Sequence, residues 1–514
     1  MEGKRNAPCR GLCGNFAELK KQQKSQKARS VEGKRNAPCR GLCGNFAELK
    51  IGGKQMGTEQ GANGEKVYLF EQMPIPKAVC KLAIPTILSS LVMVLYNLAD
   101  TYFVGLLNES AETAAVTLAA PLLLAFNAVN NLFGVGSSSM MSRALGKKDI
   151  ETVKKSSAAG FYYALLSGLI FSAVYTLLKN PFLTLLGADA GTAAVTGQYL
   201  KWTVSFGAAP AILNVVLAYL VRAEGASLHA SLGTMSGCLL NIILDPIFIL
   251  PWGFHMGAAG AGLATFISNC VACIYFFILL YAKRRTTYVC VKPGMAKPEK
   301  RILSGICAVG IPASIQNLLN VTGMTILNNM TASFGADAVA AMGISHKISM
   351  VPMQVAFGLS QGIMPLVSYN YASGNYARMK KSFWYTARIS LTFMAVVTAL
   401  LCFCSGSVVE LFMKDGAVIG YGTQFLRGFA LGMPFLCMDF LAVGVFQACG
   451  MGMKSFIFAI LRKIVLEIPA LYLLNALVPL YGIAYAQCVA EMVLSAVAVL
   501  VLVRFFRGTK KDQR

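Results

Sequence analysis

The strongest constraint on this chain is a succession of long apolar runs that fills most of its length after residue 75. Of its 514 residues, 56% are hydrophobic and only 13% are charged, whereas soluble domains carry about 25% charged residues. A run of about 20 mostly apolar residues is long enough to cross a bilayer as a helix. Repeated runs of this kind predict a polytopic membrane protein rather than a soluble core.

The apolar runs predict an all-α fold of about twelve transmembrane helices in two six-helix bundles. The predicted spans are residues 78–104, 113–137, 157–179, 195–221, 231–250, 258–281, 303–330, 337–366, 384–404, 421–447, 455–477 and 482–506. We assign residues 75–290 to an N-lobe with six helices. Residues 291–514 form a C-lobe with six helices and a short C-terminal tail.

Basic residues are concentrated in alternate loops. These loops and the C-terminal tail hold Arg143, Lys147, Lys148, Lys154, Lys155, Arg222, Lys283, Arg284, Arg285, Lys292, Lys297, Arg378, Lys380, Lys381, Lys454, Arg507, Lys510, Lys511 and Arg514. The opposite loops contain Lys179 and Lys414 but also Glu109, Glu112, Asp189 and Asp415. Cytoplasmic loops carry an excess of Lys and Arg, so we expect both termini to be cytoplasmic. The net charge of +23 therefore indicates topology, and no nucleic-acid partner is expected.

Residues 1–74 differ from the rest, because they are polar, basic and partly duplicated. The segment EGKRNAPCRGLCGNFAELK occurs unchanged at 2–20 and 32–50. Its cysteines, Cys9, Cys13, Cys39 and Cys43, could supply four thiolates to zinc, although their spacing is loose. We favour a disordered basic cytoplasmic tail, and expect deletion of residues 1–70 to leave transport intact.

The two halves carry matching motifs in the same order. The pairs are Ile84-Pro85 and Ile311-Pro312 in the first spans, the turn glycines Gly225 and Gly450 after the fourth spans, and Pro246 and Pro469 in the fifth spans. With six spans in each half, both copies have the same orientation. Repeats related by an axis along the membrane normal occur in transporters whose site lies between the halves. Duplication without a transport function is the alternative.

Few ionisable residues lie within the predicted spans, and such residues indicate function because they are costly in a membrane. They are Asp100, Asp245, Asp439, Glu467 and Glu491. We expect Glu467 to pair with Arg462 or Lys463 near the membrane edge, which is a structural role. No nucleotide-binding loop and no catalytic triad is evident in the sequence, so no enzyme activity is expected.

Asp245 lies in the most informative motif, LNIILDPIFIL. Asn241 is four residues earlier and shares its helix face, and Pro246 frees a backbone carbonyl one turn back. Carboxylate, amide and carbonyl oxygens suit Na⁺, and a buried carboxylate also suits a proton. Asp100 could supply a second carboxylate from another span. The alternative for each aspartate is a structural bond to a neighbouring helix.

Two other sets of residues have open interpretations. Pro85 could bend the first span as a gate that responds to Asp100, or it could lie in the first turn of that span. Several polar residues could line a cavity or bond neighbouring helices. They are Asn214, Gln316, Asn317, Asn320 and Asn328.

The ordered motifs resemble the multidrug and toxic compound extrusion (MATE) family across residues 75–507. They are Ile84-Pro85, YNLADTYFVG ending at Gly105, SRALGKKD, RAEG ending at Gly225, NIILDPIFI, and GAAGAGLAT ending at Thr265. The resemblance implies drug efflux in exchange for Na⁺ or H⁺ by rocking of two bundles. It places the N-lobe cation site on Asp100, Asn241, Asp245 and Thr265. Another branch of the family has an acidic cation site in the C-lobe, but span seven here has no acidic residue. Asp439 in span ten lies near the position of such a group, so the resemblance leaves the existence of a C-lobe cation site undecided.

We therefore expect an efflux antiporter of the bacterial cytoplasmic membrane. Its partners would be small amphipathic, often cationic compounds and membrane lipid. Beyond the coupling ion we expect no metal and no cofactor, and we expect a monomer. A lipid-linked saccharide flippase is one alternative, but it would need a basic cavity for pyrophosphate. A membrane-embedded enzyme or scaffold is another, but the spans show no nucleophile or metal cluster.

Overall fold

The computed structural model describes residues 60–107, 109–189, 191–297 and 299–511. Within these ranges the chain is helical and contains no β-strand. The duplicated segment and its four cysteines lie outside the described residues, so the predicted tail and the zinc hypothesis remain untested.

Twelve long helical segments, α1–α12, form the body of the protein. The first six are α1 (Ile75–Gly105), α2 (Ser110–Asn130, Asn131–Val135 and Gly136–Gly146), α3 (Ile150–Leu177), α4 (Ala193–Leu200, Lys201–Phe206 and Ala208–Ala223), α5 (Ser227–Ile249) and α6 (Gly257–Ala282). The second six are α7 (Lys300–Ala332), α8 (Ala336–Ala372), α9 (Tyr376–Glu410), α10 (Gly416–Ala448), α11 (Gly452–Ile460, Leu461–Glu467 and Ile468–Leu477) and α12 (Tyr481–Lys511). Shorter helices are Gln60–Val67, Tyr68–Gln72, Lys179–Leu185 and Pro293–Met295.

The twelve predicted spans correspond one to one with these segments. Ten of the described helices are long and apolar enough to cross a membrane on their own. The two parts of α4, which are bent by 50°, pass the same test together and make an eleventh candidate span. The remaining segment, α11, carries Arg462, Lys463 and Glu467 near its middle, which explains why its composition is less apolar.

Several helices are longer than the apolar runs that predicted them. Span two was expected to end at residue 137, but α2 continues to Gly146. The chain turns only where α3 begins, at the N-cap Asp149, whose carboxylate accepts a hydrogen bond from the Thr152 N–H. The ends of these helices are set by turns and capping residues, which lie beyond the apolar stretch from which the spans were predicted.

The duplication of the fold extends to these turns. Asn375 caps α9 by accepting from the Arg378 N–H, at the position that Asp149 occupies before α3. Gly225 and Gly450 both have positive φ, at 89° and 78°, as expected for the glycine turns after α4 and α10. The internal repeat seen in the sequence is therefore also a repeat of backbone conformation.

The lobes meet through α1 against α8 and through α2 against α7 and α8. Glycines allow these helices to approach closely: a Cβ at Gly358 would lie 2.9 Å from the Ile87 Cα, and one at Gly136 would lie 2.5 Å from the Ile306 carbonyl oxygen. We call the end that holds loops 147–149, 224–226, 283–299, 373–375 and 449–451 the basic end.

The inter-lobe contact is closed at the basic end. Every residue of α8 from Gly358 to Asn370 is buried, whereas residues 336–357 alternate between buried and exposed. Ser139 of α2 donates to the Gln447 carbonyl at 2.5 Å, which joins the lobes in the same region. The opposite halves of α1, α2, α7 and α8 are less covered, so the structure is closed at the basic end and more open at the other.

Candidate functional site

The N-lobe site is built around Asp245 and Asn241 in α5. Asp245 is 0% and Asn241 2% exposed, and one helical turn separates them. With the amide oriented by its hydrogen bonds, the Asn241 nitrogen donates to Asp245 at 2.8 Å and its oxygen accepts from the Thr265 N–H at 3.1 Å. Asn241 thus connects the carboxyl group of α5 to α6.

Asp100 approaches this group from α1, which packs against α5. Its carboxyl is close enough to Asp245 for the two charges to repel, and Asp100 Oδ1 is buried without a hydrogen-bond partner. Neither carboxyl takes part in any ion pair among the described residues. The structure therefore brings together all four residues of the expected cation site, Asp100, Asn241, Asp245 and Thr265.

Two tyrosines that were not predicted lie near these carboxyl groups. Tyr96 of α1 and Tyr199 of α4 both lie within electrostatic range of the Asp100 and Asp245 carboxyl groups. Tyr96 is four residues before Asp100 and therefore shares its helix face, a signal that the sequence contained. Tyr199 comes from another helix, and no local pattern identifies it.

These groups have the chemistry of a hard-cation or proton site. Two carboxyl groups, an amide oxygen and hydroxyl oxygens converge without a basic side chain, and oxygen ligands are those that hard cations prefer. Two unpaired carboxylates in a membrane are costly, so a bound cation or proton would stabilise the pair.

The C-lobe contains a second buried cluster, centred on α11. Arg462 Nε donates to Glu491 Oε1 at 2.6 Å, and its Nη1 lies 3.6 Å from Asp439 Oδ2. Lys463 Nζ lies 2.6 Å from Glu467 Oε1. All five residues are at most 8% exposed.

This arrangement differs from the expectation for Glu467. Its pairing with Lys463 is confirmed, but the pair lies buried in the middle of α11 rather than near a membrane edge. Three carboxyl groups face two basic groups, so the cluster is net negative if every group is ionised. Neither Asp439 oxygen has a hydrogen-bond partner, which leaves this carboxyl able to accept a proton or cation.

Comparison with known proteins fits this two-lobed arrangement. The MatE family model matches residues 85–247 and 312–473, one match in each lobe. This chain belongs to the MATE family. The multidrug export protein MepA of Staphylococcus aureus (strain MRSA252) is 35% identical over 441 residues, covering 85% of this chain and 96% of that protein. MepA of Staphylococcus saprophyticus is 33% identical, with the same coverage.

Solved MATE structures share the fold. One, described as an outward-facing conformation of a multidrug resistance MATE family transporter, has a TM-score of 0.80 at 25% identity and covers 89% of this chain. The match extends over 100% of the length of that transporter. Another, described as MATE in complex with MaL6, has a TM-score of 0.82 at 26% identity and covers 87% of this chain and 99% of its own. The all-helical two-bundle architecture is therefore that of MATE transporters.

The remaining polar residues of this MATE fold have different surroundings. Asn214 is 7% exposed, and its amide donates to Asn269 Oδ1 of α6 at 2.7 Å, which fits the helix-bonding interpretation. Gln316 accepts from Gln447 at 3.4 Å and is half-buried. Asn317 and Asn320 are also half-buried in α7, and the half of α7 away from the basic end contributes to the more open part of the inter-lobe region.

Pro85 lies well inside α1 rather than in its first turn. The helix begins ten residues earlier, at Ile75, and continues to Gly105, so the first-turn interpretation is wrong. Gly358 and Gly362 of α8 pack on Ile87 and Ala83, on either side of the proline. Pro85 is thus located where α1 meets the other lobe.

Proposed function

We propose that this protein is a cation-coupled multidrug efflux antiporter. It exports small amphipathic, often cationic compounds in exchange for Na⁺ or H⁺ by alternating access. The observation that carries this proposal is the pair of carboxyl groups of Asp100 and Asp245, which approach each other in the N-lobe without a basic partner. The multidrug export relatives support the substrate class.

The mechanism depends on a change in the cation occupancy of this pair. A bound ion shifts a conformational equilibrium only if it binds one state better than the other. Asp100 is on α1, which packs on both α5 and α8, so its position changes when the lobes move. A bound cation or proton relieves the repulsion between Asp100 and Asp245. The free energy gained by binding depends on the distance between the two carboxyl groups, and movement of the lobes changes that distance.

We place the protein in the bacterial cytoplasmic membrane with the basic end in the cytoplasm, on the basis of loop charge. The structure would then be closed toward the cytoplasm. A drug site would lie between the lobes on the outer side, where Asn317 and Asn320 are half-buried. The C-lobe cluster around Asp439 is a second candidate ion site, because of its excess carboxyl group.

The lipid-linked saccharide flippase is less well supported. Such a protein would need unpaired basic groups in its central cavity for pyrophosphate. The buried Arg462 and Lys463 face Asp439, Glu467 and Glu491 instead. Their charge is neutralised within the C-lobe, so it is not available to a phosphate.

The deciding experiment is dye efflux from vesicles that contain the purified protein. A Na⁺ gradient and a pH gradient are imposed separately, each with the membrane potential clamped. Efflux that follows one gradient, and that is lost in Asp100→Asn and Asp245→Asn, supports the proposal. Efflux independent of both gradients, or unchanged in both variants, contradicts it.

A further inference from the structure

The chain just before α1 makes a set of contacts that the proposed antiport does not use. We call residues 66–73 the N-terminal strap. Arg378, in the first turn of α9, donates from Nε to the Phe70 carbonyl at 2.6 Å, and from Nη2 to the carbonyls of Met73 at 2.6 Å and Leu69 at 3.3 Å. One guanidinium therefore binds three carbonyl groups of the strap.

The end of α8 adds contacts to the same stretch. The Phe70 ring, which is 1% exposed, stacks on Tyr369 with the ring centroids 4.8 Å apart. The Tyr369 hydroxyl donates to Glu71 at 2.7 Å, and the Asn370 amide donates to the Phe70 carbonyl at 3.2 Å. The C-lobe thus holds the strap through side chains of both α8 and α9.

The same strap is also bound to the N-lobe. Lys66 Nζ lies 2.9 Å from Glu224, at the end of α4, and donates to the Thr286 carbonyl at 2.8 Å. The turn at Gly225 lies directly against the strap, because a Cβ there would be 2.9 Å from the Phe70 ring. The strap therefore spans both lobes at their closed end.

We propose that the N-terminal strap holds the basic end closed, and that Arg378 is the positioning residue that attaches it to the C-lobe. The strap continues directly into α1 of the N-lobe. When the lobes separate at the basic end, the strap cannot keep all of these bonds, and its bonds to Arg378, Tyr369 and Asn370 are those that cross between the lobes. Each opening of the basic end therefore requires release of the strap from Arg378. This inference rests on the alternating access of the proposed function.

The strap also changes the expectation for the tail. The sequence predicted that residues 1–70 could be removed without loss, but this deletion removes Lys66, Leu69 and Phe70. The tolerated truncation should therefore end earlier. We expect deletion of residues 1–56 to leave the closed population unchanged, and deletion of residues 1–73 to lower it.

The test is a distance measurement across the basic end that needs no ion gradient. Spin labels are attached to unnatural residues at positions 147 and 380, because the chain has 15 native cysteines. Both positions are exposed and belong to different lobes. In lipid nanodiscs, Arg378→Ala should shift the ratio of short to long distances by about tenfold, as expected for loss of several hydrogen bonds to a charged group.

Two further variants keep the test decisive. Phe70→Ala removes the stacking partner from the other side of the contact and should shift the ratio in the same direction. Lys381→Ala removes an exposed charge from the same helix and should leave the ratio unchanged. If Arg378→Ala and Phe70→Ala are both folded and both keep the wild-type distances, the strap has no role in closure. That result would not affect the antiport proposal, which depends on ion-driven efflux.

Discussion

Gly362 of α8 lies directly on the backbone of α1 at Ala83, so that a Cβ at this glycine would be 2.6 Å from the Ala83 Cα. One turn earlier, Gly358 lies on Ile87 in the same way. Small residues four apart allow two membrane helices to approach closely. This contact makes the closed basic end possible, and it places the helix that carries Asp100 against the opposite lobe.

Gly362→Val should prevent closure of the basic end, because the added side chain meets backbone atoms that cannot move aside. We expect efflux to be abolished and the long-distance population across the basic end to dominate. Gly343→Val is the matched control in the same helix, since the space around Gly343 is open, and it should retain efflux. Normal efflux from a folded Gly362→Val protein would show that this contact is not required.

Asp100→Asn and Asp245→Asn should each abolish gradient-driven efflux while the protein still inserts in the membrane. Each substitution removes a charge but keeps the shape, so it imitates a permanently protonated carboxyl group. The double variant should be no worse than either single one, because both residues serve one site. Asp337→Asn, at an exposed position of α8, is the control, and all variants are compared at equal protein levels.

Asn241→Ala should weaken ion coupling without abolishing it. The amide orients Asp245 and connects it to Thr265, and its loss leaves a buried carboxyl group without its donor. We expect the concentration of coupling ion that gives half-maximal efflux to rise roughly tenfold. An unchanged ion requirement would mean that Asn241 serves packing alone.

The C-lobe cluster should contribute strongly to stability. Glu491→Leu leaves the buried Arg462 guanidinium without its closest partner, and breaking a buried ion pair costs about 3–5 kcal/mol. We expect a clear loss of thermal stability in detergent, measured by the unfolding midpoint. The double variant Glu491→Leu with Arg462→Met should recover part of the loss, and strictly additive effects would argue against the pair.

The same cluster provides a test of where coupling takes place. Asp439→Asn should reduce gradient-driven efflux less than Asp245→Asn does, because Asp439 faces Arg462 whereas Asp245 faces no basic group. Both variants are measured in the same vesicle assay. If Asp439→Asn alone is inactive, coupling belongs to the C-lobe.

The topology can be tested with short epitopes inserted into single loops. Epitopes near residues 147 and 292 should be accessible only after the cells are permeabilised, and epitopes near residues 189 and 415 should be accessible on intact cells. Surface labelling at residue 292 would reverse the assignment of the basic end to the cytoplasm.

Local sequence signals predicted part of the candidate site and of the fold. The spacing of Asn241 and Asp245 placed both on one helix face, and the glycine at the end of RAEG predicted the turn at Gly225. Partners that come from a distant helix have no such signal. Tyr199 in the N-lobe site and Glu491 beside Arg462 could not be paired in advance, because neither contact has a fixed sequence separation.

The sequence by itself determined the membrane class, the number of spans, the repeat and its motifs. Each of these depends on apolar length, charge bias or turn residues, which act within a few residues of the chain. The tertiary structure decided which charges meet. It left Asp100 and Asp245 without a basic partner, surrounded Arg462 with carboxyl groups, and attached the N-terminal strap to Arg378. These pairings join helices that are far apart in the sequence, so they form only when the helices pack against one another in the folded protein.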